Sequence, residues 1–194
     1  MQRFAAIQRD MRDSRPELVF LGDSITQGLV GTPIWKKLYM SRGAVNAGIT
    51  SDGVQHMLWR VQNGNFDGVR PKVVVLLGGI NNLVGDKPES VAVGIRAIIH
   101  EIQRRSPATR VLLMGIFPTR RDPSDPMREK VRQTNLLLAG LADGRGVVFL
   151  DIGNVFLDGR GRLARAIMPD YLHPSREGYL LWAEAMEPIL GLML

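Results

Sequence analysis

Five short apolar runs alternate with helical patterns along this chain, and that alternation limits the fold more than any other feature. The runs cover residues 18–21, 44–47, 73–77, 111–117 and 147–151. Each is nearly continuous and rich in β-branched residues, the pattern of strands buried on both faces. Between and after them the spacing predicts helices over 26–40, 52–63, 88–105, 126–142 and 175–192. Ser51 or Asp52 suits a helix cap, Pro88 a first helical turn, and Ser175 a cap with Glu177 in the turn that follows. Strands alternating with helices call for a parallel sheet covered on both faces, and right-handed crossovers then give a three-layer, doubly wound α/β/α sandwich. At 194 residues and 45% hydrophobic content the chain fits one domain, 1–194.

Composition removes several functional classes. The chain has no cysteine, which excludes disulfides, thiolate metal sites and thiol catalysis. Its three histidines are scattered, so no metal site and no cofactor are expected. The net charge of +6 comes from basic residues spread along the chain. No aromatic-interleaved basic stripe appears, so a nucleic-acid partner is not expected. No apolar run approaches the roughly 20 residues that span a bilayer. Residues 1–16 are polar, charged and helix-like, without the apolar core of a secretory signal. The cytoplasm is the default expectation, with secretion after signal removal as the alternative.

Parallel sheets build their sites at the carboxyl ends of the strands, so the residues that follow each run carry the functional argument. The first run stops at Gly22-Asp23-Ser24, and a helical pattern begins at once. Such a turn lifts a serine hydroxyl to the sheet end and points helix N–H groups at it. A serine needs that setting, because its own pKa leaves it inert at neutral pH. Asp23 reads either as a turn-stabilising carboxylate or as part of the substrate site. Far downstream, Asp170-Tyr171-Leu172-His173-Pro174 offers an imidazole and, three residues before it, a carboxylate able to fix its tautomer. His56 and His100 fall within helical patterns, where structural or solvated roles are the commoner ones. Gly48 after the second run and Asn81 after the third offer a backbone N–H and a side-chain amide, which with the Ser24 N–H would form an oxyanion hole. Asn82 reads as loop support or pocket lining. Ile49, Leu83 and Tyr171 flank these positions and are candidate acyl-pocket residues.

These segments resemble the SGNH hydrolases, also called the GDSL esterase/lipase superfamily. Gly22-Asp23-Ser24 matches the first block, with Ile25 where the name-giving pattern has leucine. Asn46-Ala47-Gly48 matches the second, Gly79-Ile80-Asn81-Asn82 the third and Asp170-x-x-His173 the last. The blocks occur in family order across nearly the whole chain. The resemblance implies a flavodoxin-like α/β/α fold on a five-stranded parallel sheet, and serine esterase chemistry without a cofactor. Carried over by position, it implies a triad of Ser24, Asp170 and His173 and an oxyanion hole of Ser24, Gly48 and Asn81. Within the family the chain is most similar to the catalytic subunits of intracellular platelet-activating-factor acetylhydrolase. That likeness rests on Leu58-Trp59-Arg60-Val61-Gln62-Asn63-Gly64, Arg70-Pro71-Lys72-Val73, Gly79-Ile80-Asn81-Asn82, and Pro126-Met127-Arg128 followed by Thr134-Asn135. It implies a short acyl group, probed first as acetyl on a sugar or lipid, and a homodimer as one expectation. The alternatives are a thioesterase, lysophospholipase or arylesterase on the same machinery and, further off, a non-catalytic binding module on the same fold.

Overall fold

A five-stranded, all-parallel sheet forms the centre of the computed structural model, which describes residues 2–194. Its strands are β1 (Leu18–Gly22), β2 (Val45–Gly48), β3 (Val73–Leu77), β4 (Arg110–Met114) and β5 (Val147–Leu150). They lie in the order β2-β1-β3-β4-β5, the flavodoxin-like arrangement in which the chain reverses direction of travel beside β1. All of β1, β2 and β3 is buried, as the unbroken apolar runs of β1 and β3 require; the one polar side chain, Asn46 of β2, donates to Thr26 O at 2.7 Å. In register, Gly22 lies between Gly48 and Leu77, so three strands finish level at the edge where the site forms.

The helices are α1 (Gln2–Ser14), α2 (Ser24–Leu29), α3 (Val54–Arg60), α4 (Pro88–Arg105), α5 (Pro126–Ala139) and α6 (Arg176–Met193). Helices α3, α4 and α5 pack side by side as one layer. The other layer joins α6 to the segment after α2 through an aromatic cluster. There the Phe20 ring of β1 lies 4.7 Å from Tyr39, 5.4 Å from Trp35 and 6.4 Å from Trp182. Each such ring adds roughly 0.5–1.5 kcal/mol beyond its buried area. Helix α1 packs against β2 and the turn that follows α3.

Two helices are shorter than their apolar spacing predicts. The expected helix over 26–40 stops at Leu29 and resumes as a wide turn over Trp35–Tyr39 and a tight one over Met40–Arg42. Pro33 has no N–H to continue the ladder, and Thr32 caps both pieces. Its Oγ1 donates to Leu29 O at 2.7 Å and accepts from Trp35 N at 3.1 Å. Leu29, Ile34, Trp35 and Tyr39 are nevertheless all buried, which explains why their spacing imitates a single helix. The helix expected from 52 begins at Val54, because Ser51 adopts a left-handed φ of 65° and the Asp52 carboxylate turns to Arg60. Neither caps it; Asn82 Oδ1 instead accepts the Val54 N–H at 2.8 Å. Ser175 does cap α6, its Oγ accepting from Gly178 N at 3.2 Å.

Candidate active site

Helix α2 starts abruptly because β1 ends in Gly22-Asp23. A Cβ on Gly22 would lie 2.1 Å from Thr26 Oγ1 and 2.4 Å from Leu77 O, so only glycine lets the strand turn this tightly. Asp23 Oδ1 then caps α2 by accepting from Ile25 N at 2.9 Å. Ser24, the next residue, is half-buried at the sheet edge.

The loop before α6 brings its two groups to this serine across 149 residues of sequence. Ser24 Oγ lies 2.8 Å from His173 Nε2, and His173 Nδ1 lies 2.6 Å from Asp170 Oδ2. Asp170 Oδ1 also accepts the backbone N–H groups of His173 at 2.7 Å and Leu172 at 3.0 Å. Burial by itself would raise the Asp170 carboxyl, but the hydrogen bonds from the His173 side chain and these two N–H groups outweigh it and hold it below the ordinary carboxylate range. An ionised Asp170 takes the Nδ1 proton as its donor, leaving the Nε2 lone pair facing the serine hydroxyl. Tyr171 enables the turn by adopting a left-handed φ of 59°. Its carbonyl accepts from Arg120 N at 2.9 Å and Thr119 Oγ1 at 2.8 Å, and its hydroxyl from Arg165 Nε at 3.2 Å. Tyr171 therefore anchors the loop.

Across the crevice, the residues after β2 and β3 meet. Asn81 Nδ2 donates to Asp52 O at 3.0 Å and keeps its second hydrogen unused among the described residues. Gly48 departs from its expected place. It is buried, and its N–H donates to Asn46 Oδ1 at 3.0 Å, so that group faces the interior. The glycine answers a packing need: a Cβ there would lie 2.3 Å from the Gln27 backbone nitrogen of α2. The other N–H groups nearby are also engaged. Ile49 N donates to Gly22 O, Thr50 N to Gln27 Oε1, Asp52 N to Ile49 O and Gly53 N to His56 Nδ1. Between Gly48 and Val54, Ser51 is the one residue whose N–H has no partner among the described residues, and Ser51 is exposed. The Ser24 N–H, at the first position of α2, likewise has none.

The remaining predicted residues divide. Asn82 ties the β3 loop to α3, donating to Gln55 Oε1 at 3.0 Å and Asp86 Oδ2 at 2.9 Å. Leu83, expected in the acyl pocket, points instead into the core and is fully buried. Asp23 is fully buried beneath the serine and does not line the crevice. Burial pushes its carboxyl up to about 6, against the opposing pull of the Ile25 N–H and the nearby His173. Ile49 lines a neighbouring cavity instead, half-buried beside Phe4 and Trp59.

Two arginines hold these pieces together; Arg60 lies in the 58–64 segment of family likeness without a role read from it, and no motif marks Arg3. The buried Arg60 donates to Asp52 Oδ2 at 2.8 Å, to Ala47 O and Asn65 Oδ1 at 3.0 Å, and to Gly22 O at 3.3 Å. It thus pins the ends of β1 and β2 to the Asp52 turn. Arg3 of α1 donates to Asn46 O at 2.7 Å and Gly48 O at 3.3 Å. With Ser24, Gln27 and Thr50 it lines an open cavity of about 360 Å³.

The profile of the GDSL-like Lipase/Acylhydrolase family matches residues 20–181, which run from β1 into α6. The chain belongs to this family. Over 189 residues it is 41% identical to platelet-activating factor acetylhydrolase IB subunit alpha1 of Homo sapiens, covering 97% of this chain and 80% of that one. It is 34% identical over 186 residues to the alpha2 subunit of Rattus norvegicus, covering 95% and 79%. Among solved structures, a GDSL-like lipase from Bacteroides thetaiotaomicron superposes with a TM-score of 0.80 at 19% identity, covering 98% of this chain and all of that one. An acetylxylan esterase from Geobacillus stearothermophilus superposes with a TM-score of 0.72 at 22% identity, covering 90% and 93%. Both share the three-layer fold. Family membership makes the chain a carboxylic ester hydrolase acting on small-molecule esters. No helix among the described residues is long and apolar enough to cross a membrane.

Proposed function

We propose that this hydrolase removes short acyl groups, acetyl first among them, with Ser24 as nucleophile. The observation that carries the reading is the unbroken chain from Ser24 Oγ through both His173 nitrogens to Asp170, at 2.8 and 2.6 Å. His173 Nε2 takes the hydroxyl proton as Ser24 Oγ bonds to the ester carbonyl carbon. Asp170 stays ionised and steadies the imidazolium. The carbonyl oxygen becomes an oxyanion and is met by the Ser24 N–H, the Ser51 N–H and the unused hydrogen of Asn81 Nδ2. His173 returns its proton to the leaving alcohol as the carbon–oxygen bond breaks. Water, deprotonated by the same imidazole, then releases the acid and restores Ser24. The acetylhydrolase names of the relatives at 41 and 34% identity support the acetyl preference. Those relatives are named as subunits, which supports assembly into an oligomer; a homodimer in the cytoplasm is the form this proposal takes, and light scattering tests its stoichiometry.

The test is hydrolysis of p-nitrophenyl acetate, butyrate and octanoate by wild type and Ser24→Ala. Wild-type turnover falls with chain length, and Ser24→Ala lowers kcat by on the order of ten-thousandfold or more with an unchanged circular dichroism spectrum. Retained activity in Ser24→Ala refutes the nucleophile. A preference for octanoate refutes the short-acyl reading.

A further inference from the structure

A second cavity, of about 390 Å³, lies between α1 and α3 and borders the first one at Thr50. It is far larger than an acetyl group needs. Its walls are Phe4, Ile49 and Trp59, and its rim includes Thr50 and Ser51. The Phe4 and Trp59 rings lie 5.3 Å apart and tilted at 49°, and Trp59 remains 50% exposed. The two charged residues that line it, Asp52 and Arg60, are paired with each other at 2.8 Å and buried, so the cavity offers no uncompensated charge. His56 also lines it. Its Nδ1 accepts from Gly53 N at 3.0 Å, so the neutral ring carries its proton on Nε2 as a donor.

Flat aromatic faces beside a neutral hydrogen-bonding rim suit one ligand shape, a ring with C–H faces and a hydroxyl edge. An alkyl chain would use the aromatic walls and none of the rim groups, and a phosphate would find no unpaired cation among the lining residues. Resting on the esterase reading above, we propose that this cavity is a subsite for a pyranose ring of the leaving alcohol. Trp59 and Phe4 form the stacking platform, and Thr50, Ser51 and His56 meet the hydroxyls. The alcohol then extends from Ser24 past Thr50, and α1 becomes a specificity element.

The experiment compares acetylated methyl β-xylopyranoside, ethyl acetate and dodecyl acetate as substrates of wild type, Trp59→Ala and Trp59→Phe. In Trp59→Ala the ratio of kcat/KM for the sugar ester to that for ethyl acetate falls about tenfold, through KM, and Trp59→Phe restores most of it. An unchanged ratio overturns the subsite, since Trp59 then serves the fold alone. A selective loss on dodecyl acetate overturns it in favour of an alkyl site. A second readout needs no turnover. Trp35 and Trp182 are buried, so quenching by xylobiose in Ser24→Ala reports on Trp59. A saturable change that disappears in Ser24→Ala/Trp59→Phe supports the subsite even if wild type hydrolyses none of the esters, in which case only the esterase reading falls. No saturable change overturns the subsite even where esterase activity is intact.

Discussion

The two walls of the crevice work by different means. In the proposed mechanism the 170–173 loop acts through side chains, an imidazole and a carboxylate joined in series to the serine. In the same proposed mechanism the 46–53 loop acts through its backbone, which side chains from within and beyond the loop hold still. Asn46 occupies the Gly48 N–H, Gln27 the Thr50 N–H, and Arg60 grips Asp52 from beneath. What remains without a partner among the described residues is the Ser51 N–H, in the loop to which the Asn81 amide is tethered at Asp52 O. A wall of side chains fails when one group is removed. A wall of backbone fails when its shape is lost, and replacing a side chain on it tests packing before chemistry.

The substitutions that probe this contrast rank by size. Asn81→Ala removes the one side-chain donor on the backbone wall, and kcat falls on the order of a hundredfold while KM moves little. An effect confined to KM would sink the oxyanion role. Asp23→Asn comes next, and it acts on stability. Asp23 titrates near 6 in the folded protein against about 4 unfolded, so the folded state binds the extra proton between those values. Stability contributed by this group therefore rises as pH falls from 6 towards 4. Asparagine keeps the cap on α2 and removes the buried charge, so Asp23→Asn is more stable at pH 7 by up to about 3 kcal/mol, with no gain below pH 4. Thermal melts across pH 4–7 check it, and parallel curves for the two proteins would contradict the buried ionisation.

Gly48→Ala forces a Cβ against the backbone of α2 and lowers stability by about 1–3 kcal/mol in chemical denaturation. An alanine accepted without loss would mean that α2 does not press on β2 as described. The smallest effect is Ser51→Gly. The left-handed φ of Ser51 is costly for a residue with a Cβ, and glycine relieves on the order of 1 kcal/mol while keeping the N–H in place. Activity stays within a few-fold. A hundredfold loss would show that the Ser51 side chain, rather than its backbone, carries the contribution.

Legibility in the sequence follows the same division. The strands are readable because nearly continuous apolar runs rich in β-branched residues have few other homes, and their alternation with helices makes the sheet parallel, while the flavodoxin-like arrangement is implied by the family resemblance alone. Ser24, Asp170 and His173 are readable as candidates because few residue types do their chemistry and each sits beside a turn. The helix break at Pro33 was hidden by apolar residues that continue the helical spacing on both sides of it. Gly48 misleads because a glycine beside a site has two physical meanings, open access for substrate or close approach of another element, and residue identity does not separate them. Ser51 leaves no mark, since every residue but proline carries an N–H and only the tertiary hydrogen bonds decide which one is left over. Leu83 and Asp23 follow tight turns that set the direction of a side chain independently of its polarity.

The most direct test of the whole arrangement is a crystal structure of the protein treated with a phosphonate that mimics the tetrahedral acyl intermediate. The predicted result is a covalent bond from phosphorus to Ser24 Oγ, with the phosphoryl oxygen within hydrogen-bonding distance of Ser24 N, Ser51 N and Asn81 Nδ2, and Gly48 N still bonded to Asn46. A phosphoryl oxygen held by Gly48 N, or no adduct on Ser24, would contradict the account.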